Sequence, residues 1–252
     1  LWQGQLSGDR LAIQAEQYGI AWQQGQLRAQ MRDNRLQIDT LSFQGQQGNL
    51  RLQNGQFDLL TSPVRGRAEL VLDQLLLRQT PSRELVVSGQ TQATVDASGI
   101  QLLGKLVVVR GMMDVPDGDA PQLASDVVVK GRPRPLPALP AALPLQVQLT
   151  ISLPEEALRV RGRGVDAWLS GELLLKAPSK QAPQLSGVIR VDRGKFTAYG
   201  QELAIERGEV TFQGLADNPA LDIVAMRRGL AVEAVVAITG SALQPKARLV
   251  SE

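Results

Sequence analysis

Residues 145–153 read Leu145-Gln146-Val147-Gln148-Leu149-Thr150-Ile151-Ser152-Leu153. Aliphatic and polar residues alternate without a break. Successive side chains of a β-strand point to opposite faces, so this stretch is a strand with one apolar and one wetted face. The same period continues downstream. Leu158 and Val160 follow, then Leu169, Leu173 and Leu175, then Leu185, Ile189 and Val191. It recurs at Leu203 and Ile205, Val210 and Phe212, Leu221 and Ile223, and Val232, Val236 and Ile238. Upstream the alternation is noisier but present, at Leu11/Ile13, Leu27/Ala29/Met31, Leu36/Ile38, Leu41/Phe43 and Leu50/Leu52.

Turn signals punctuate these runs: Asp33-Asn34, Gln47-Gly48-Asn49, Asn54-Gly55, Ala97-Ser98-Gly99, Asp117-Gly118 and Asp217-Asn218-Pro219. Their spacing predicts consecutive antiparallel strands, roughly 16 to 20 at about twelve residues per strand and turn. The fold class is therefore all-β, a long and mainly antiparallel sheet. So many strands must curl, split or close. One short helix or turn is expected at Pro154-Glu155-Glu156-Ala157. Leu75–Leu77, Val107–Val109 and Val127–Val129 are apolar on both faces and read as strands covered twice or as partner surfaces. Prolines 133, 135, 137, 140 and 144 make residues 131–144 an extended loop. The same strand grammar runs on both sides of it, so residues 1–252 read as a single elongated β domain.

Composition narrows the chemistry. The 252 residues include no Cys and no His, which excludes Cys–His metal sites, disulfides and Ser-His-Asp triads. No cofactor and no catalytic group is expected. Lys and Arg number 27 against 25 Asp and Glu, interspersed, so no basic face points to nucleic acid. Nine aromatics (three Trp, two Tyr, four Phe) give few stacking platforms for sugars or bases. The apolar area is almost all Leu, Val, Ile and Ala, which suits alkyl chains. Leu136–Leu153 is uncharged but carries three prolines and many polar residues, so it is not a bilayer helix. The chain starts at Leu1 and ends in strand-like sequence, which reads as a piece of a longer protein.

Several clusters invite sharper readings. Gly162-Arg163-Gly164-Val165-Asp166-Ala167 fits a dinucleotide fingerprint, but strand sequence follows it where a helix is needed. Asp114, Asp117 and Asp119 lack a calcium loop's closing Glu. Glu155 and Glu156 are adjacent, so on a strand they diverge. Arg159, Arg161 and Arg163 share one strand face, a phosphate-binding row or a solvated edge. Trp2, Trp22 and Trp168 are expected to cover hydrophobic edges.

A longer stretch is more specific. Gly187-Val-Ile-Arg-Val-Asp-Arg-Gly194-Lys-Phe196-Thr-Ala-Tyr-Gly200-Gln-Glu-Leu203-Ala-Ile205 continues into Glu206-Arg-Gly208-Glu-Val210-Thr-Phe212-Gln-Gly214, then Asn218-Pro219-Ala-Leu221-Asp-Ile223. With Gly162-Arg-Gly164 and Leu169-Ser-Gly171-Glu-Leu173 just upstream, it resembles the C-terminal domain of the TamB family. The resemblance is strongest over residues 158–250. It implies a sheet folded lengthwise into a half-pipe with an apolar interior groove. It also implies a periplasmic body anchored to the inner membrane through a segment that this chain lacks. Implied partners are phospholipid acyl chains, the outer-membrane barrel TamA and unfolded outer-membrane proteins. The candidate groove residues are the alternating apolar positions from Leu145 to Ile238 named above.

Two functions then compete. One is a lipid conduit: an apolar face shelters acyl chains, at about 0.8 kcal/mol per buried CH₂. The other is an assembly factor for outer-membrane barrels that offers strand edges, for example Val232–Ile238, to a client strand. A β-helical polysaccharide binder is a third class, disfavoured by only four Asn and the missing aromatic platforms.

Overall fold

The computed structural model describes residues 3–15, 20–80, 82–115, 144–179, 181–198, 200–227 and 234–251. They form one 14-stranded sheet whose strands lie side by side in chain order, open at β1 and β14. The strands are β1 Gly4–Ala15, β2 Ile20–Arg32, β3 Arg35–Gln44, β4 Asn49–Asp58, β5 Arg65–Thr80, β6 Arg83–Asp96 and β7 Gly99–Asp114. They continue with β8 Leu145–Gly162, β9 Val165–Ala177, β10 Gln184–Ala198, β11 Gln201–Leu215, β12 Ala220–Arg227, β13 Ala234–Ser241 and β14 Gln244–Ser251. At about 4.8 Å per strand the sheet is roughly 60 Å across.

Fourteen strands are fewer than the sequence spacing suggests, because the middle strands are long; β8 has 18 residues. Tight turns form where the sequence marks them. Arg32 pairs with Arg35 across Asp33 and Asn34, both at positive φ (49° and 63°), the twist that two-residue hairpins need. Arg163 and Gly164, at 51° and 81°, close β8 onto β9 the same way. The dinucleotide fingerprint is thus a hairpin. Asp117-Gly118, Val127–Val129 and all of the Pro-rich segment except Pro144 lie outside the described residues.

All neighbours are antiparallel except β7 and β8, which run parallel with Ile100 beside Leu145 and Asp114 beside Arg161. A parallel pair cannot be joined by a hairpin. The chain leaves β7 at one end of the strands and enters β8 at the other.

Two expected breaks prove to be bulges inside strands. Asn54-Gly55 is not a turn: Asn54, at φ 55°, sits within β4, where the register with β5 slips between Gln53 and Gln56. Pro154–Ala157 is neither helix nor turn. It lies inside β8, where the register with β9 slips between Leu153 and Leu158 and Glu156 takes φ 55°. A local turn was expected from Pro-Glu-Glu because strand pairing on both sides is not visible locally; that pairing overrides the local preference.

The bulges line up. Register slips fall at Leu72/Leu75 of β5, Val86/Val87 of β6, Val107/Gly111 of β7 and Leu153/Leu158 of β8. They continue at Val191/Arg193 of β10 and Ile205/Arg207 of β11. Each slip lies opposite the next one or beside it. A bulge bends its strand and adds twist. Bulges at one level in consecutive strands therefore bend the whole sheet along a line crossing β5 to β12.

Candidate functional site: one apolar face across fourteen strands

Strand register puts the apolar positions on one face. A single row runs Gly8, Leu27, Leu41, Leu52, Leu70, Thr91, Gly104, Leu149, Leu175, Leu185, Gly214 from β1 to β11. Thr91, 8% exposed, is its one hydroxyl. Parallel rows extend it. Ile151 faces Leu173, Leu158 faces Leu169 and Val160 faces Ala167, while Leu145, Val147 and Leu153 share their side of β8. Val191 pairs with Leu169, Ile189 with Val210, and Phe212 with Gly187. Leu203 opposes Phe196, Ile205 opposes Ala225, and Val210 opposes Leu221. Ile223 meets Ile238, and Ala225 meets Val236. Every described residue of the sequence-derived groove set thus shares this face; Val232 lies outside the described residues.

Burial concentrates along the bend. Val108, Leu153, Ala157 and Ile189 form a cluster, with Leu85, Ile151, Leu158, Leu169, Leu173, Val210 and Phe212 packed against it. Leu75, at 0% exposure, and Val87, at 2%, occupy the same level in β5 and β6. Among the described residues, every buried hydrophobic side chain except Val86 belongs to this face. Val86 points the other way, where Arg110 of the next strand reaches Glu84 and Gln47. Trp22 also lies on the apolar face, with its ring 6.4 Å from that of Phe43.

Glycines explain how the bend stays packed. Gly25, Gly55, Gly111, Gly194 and Gly208 each follow an apolar same-face residue by three positions: Trp22, Leu52, Val108, Val191 and Ile205. A methyl group on any of them would sit within 2.4–2.9 Å of a neighbouring strand's side chain, such as Leu158 Cδ1 against Gly111 or Val191 Cγ2 against Gly208. The missing side chains are the holes into which adjacent apolar groups fit. Gly171 and Gly187 are tighter. A Cβ on either would lie 2.2 Å from a backbone carbonyl oxygen, at Val188 and Glu172 respectively, and both have φ in the glycine region (146° and 134°).

Sequence reasoning missed this part of the face: Leu75, Val87, Val108 and the bulge residue Ala157. The signal is present, since apolar-x-x-Gly marks five of the bulges. A period-two search reads that spacing as noise.

The opposite face is largely polar, with scattered aliphatics such as Leu103, Val107 and Leu174. In β1 to β8 one row runs Gln5, Gln30, Gln37, Gln56, Arg67, Thr94, Gln101, Gln146. Behind the bend lies a charged clamp. Asp192 accepts the Glu156 backbone N–H at 2.8 Å and a short bond from the Ser170 hydroxyl. Arg193 donates to both Glu156 oxygens, at 2.5 and 3.1 Å. Trp168 lies between Arg193 and Arg159, whose guanidinium carbons are 5.1 and 5.5 Å from its ring centre. It belongs to this charged face rather than to a hydrophobic edge, because the β9 apolar row occupies odd positions and the even position 168 must point outward.

The arginine row on β8 is engaged internally. Arg159 donates to Asp166 at 2.9 and 2.8 Å, and Arg161 donates to Asp114 at 2.9 and 3.1 Å. The phosphate reading of Arg159 and Arg161 therefore loses its charge, and Asp114 is a pairing partner of Arg161. Arg159 holds the Asp166 carboxyl below its ordinary value of 3.8, chiefly by those hydrogen bonds, with Lys195 and Arg161 adding through space. Asp166 in turn raises Arg159, Glu156 raises Arg193, and Glu202 raises Lys195. A depressed carboxylate stabilises the fold above its unfolded value, and that contribution is lost as pH falls through the folded value. An NMR titration of Asp166 is expected to give a midpoint below 3.8 that returns toward it in Arg159→Gln. A midpoint at or above 3.8 in the unsubstituted protein would show that the pair does not form in solution.

No helix among the described residues is long and apolar enough to cross a membrane. A family model for the TamB C-terminal domain matches residues 39–252. The chain belongs to the TamB family. The match begins in β3, so it takes in the noisier strands as well as the stretch over 158–250 that carries the resemblance. Membership places this TamB chain in the translocation and assembly module and in outer-membrane biogenesis, in association with TamA. The setting is the Gram-negative envelope.

Proposed function

We propose that the apolar face is the inside of a half-pipe that carries phospholipid acyl chains between the inner and outer membranes. The observation that carries this reading is the row from Gly8 to Gly214, aliphatic or glycine at every strand except for Thr91. A single layer that buries one face without a second layer must curl over it, and the aligned bulges supply the bend. The remaining half-buried aliphatic walls need an apolar occupant, and an alkyl chain gains about 0.8 kcal/mol per CH₂ on entering. With no fixed polar anchor along the row, the chain can slide. The protein works in the periplasm and is held at the inner membrane by a segment outside this chain.

Leu174 and Leu175 give a matched test, because they are the same residue type on opposite faces of β9. A photo-crosslinking residue at 175, or at Ile223, is expected to capture phospholipid, while one at 174 or Asp222 captures little. Equal capture on both faces, or none on either, would overturn the conduit.

A second reading, assembly of barrel proteins by strand addition, is favoured by one feature. The described sheet ends at β14, whose Leu249 is 82% exposed. The offered edge in that reading is β14, because Val235–Ile238 lie in β13, paired on both sides.

A further inference from the structure

The two long lips of the sheet differ. One lip holds the turns at residues 33–34, 59–64, 97–98 and 242–243, together with the end of β11 and the start of β8. The other holds the turns at 45–48 and 163–164, with Ser82 and Gly200. On the first lip the apolar face runs to the edge, and exposed leucines continue it outward. Leu60 is 72% exposed, Leu243 67%, and Leu59 and Leu145 41% and 46%. On the second lip the same face carries Arg83, Gln201 and Arg227 alongside Met113, Val160, Val165 and Phe196, and no exposed leucine stands on its described tips. Its described tips carry Gln46, Gln47, Ser82 and Arg163.

These leucines are held outward. Leu59 N–H donates to the Asn34 carbonyl at 3.2 Å, and Leu60 N–H donates to the Asp58 carboxylate at 3.1 Å. Leu243 N–H donates to the Asn218 side chain at 3.1 Å, and Ala242 N–H to the Pro219 carbonyl at 2.9 Å. The backbone of each tip is satisfied by polar neighbours while its side chain stays in solvent. The tips sit along roughly 45 Å of lip, taking about 4.8 Å per strand. Asp, Asn and Arg residues separate them. Such spacing offers no contiguous patch for a rigid protein surface. A fluid leaflet adapts to isolated leucines one by one and keeps the intervening charges at headgroup depth.

We propose that the lip bearing Leu59, Leu60 and Leu243 seats on a phospholipid leaflet and is the side by which acyl chains enter and leave the trough. The inference rests on the conduit reading for what passes, but the seating itself stands on the lip alone. The polar lip faces water. A chain sliding out over the first lip can pass beside exposed leucines at Leu59, Leu60 and Leu243, whereas the described tips of the other lip offer it only Gln46, Gln47, Ser82 and Arg163.

The chain has no cysteine, so single cysteines label uniquely. An environment-sensitive fluorophore is attached at position 60 or 243, and for comparison at Gln46 or Ser82. Vesicles of phosphatidylethanolamine and phosphatidylglycerol are then added. Emission is expected to rise severalfold at 60 and 243 only, and to be quenched by spin-labelled lipid. The combined L60D and L243D substitutions should reduce vesicle binding about tenfold while the β-sheet circular dichroism is unchanged. Equal responses at both lips, or none at either, would overturn the proposal. So would a rise at 60 and 243 that depends on protein concentration without vesicles, which would mean a second copy. Trough crosslinking at Leu175 separates the two readings. Lipid capture there with a silent lip overturns the seating and leaves the conduit. A responding lip without capture at Leu175 leaves the seating and overturns the conduit, and with it the passage of chains over this lip.

Discussion

Gly171→Val is expected to destabilise the sheet by about 3–5 kcal/mol, the sum of a strained backbone and an overpacked contact. Gly171 holds φ 146°, which L side chains rarely adopt, and its added Cβ would lie 2.2 Å from the Val188 carbonyl oxygen. That oxygen belongs to backbone in β10, so relief requires the strands to part beside the bend. Gly214 is the matched control: its φ is 149°, but a Cβ there meets nothing within 4 Å. Gly214→Val should therefore cost only the backbone part, about 1–2 kcal/mol. Chemical denaturation followed by Trp168 fluorescence reads both. Equal losses at the two positions would mean that close strand approach at Gly171 is not what the glycine serves.

Leu149→Asp and Ile223→Asp are expected to lower phospholipid loading at least about tenfold, because each sets a carboxylate against an alkyl chain. Desolvating an ion next to hydrocarbon costs several kcal/mol, and about 1.4 kcal/mol is already a factor of ten. Both positions are half-buried on the apolar face, so the fold tolerates the change better than it would at Ile189, which is 6% exposed. Thr150→Asp and Thr239→Asp put the same charge one residue away, on the polar face, and should leave loading within about twofold, since the carboxylate stays in water. Lipid mass spectrometry on the purified variants, with circular dichroism for folding, decides it. Normal loading in Leu149→Asp and Ile223→Asp would remove the trough from the transport route.

Much of the strand pattern was legible because side-chain direction follows from residue parity alone. Leu145 to Leu153 declares its inward face with no knowledge of its neighbours, and the inward face of β9 through Leu169, Leu173 and Leu175 is as plain. Where a bulge intervenes, parity shifts and local reading fails. Ile38 and Leu41 share a face at a spacing of three, as do Leu72 and Leu75. That is why the first half looked noisy and why Asn54-Gly55 passed for a turn. Glu156 shows the same limit more sharply, for Pro-Glu-Glu is a good turn sequence until β9 and β10 pair around it.

The amino-acid sequence by itself determined an all-β chain, several of its tight turns, the aliphatic character of one strand face and the family to which it belongs. These depend on parity, on positive-φ residues such as Asp33-Asn34 and on composition, all of which are local properties. Only the tertiary structure decided that the bulges between β5 and β12 fall on one line, that β7 and β8 run parallel, and that the tips of one lip carry exposed leucines while the described tips of the other are polar. Those features depend on register between strands, and register is a relation between distant residues that no single strand contains.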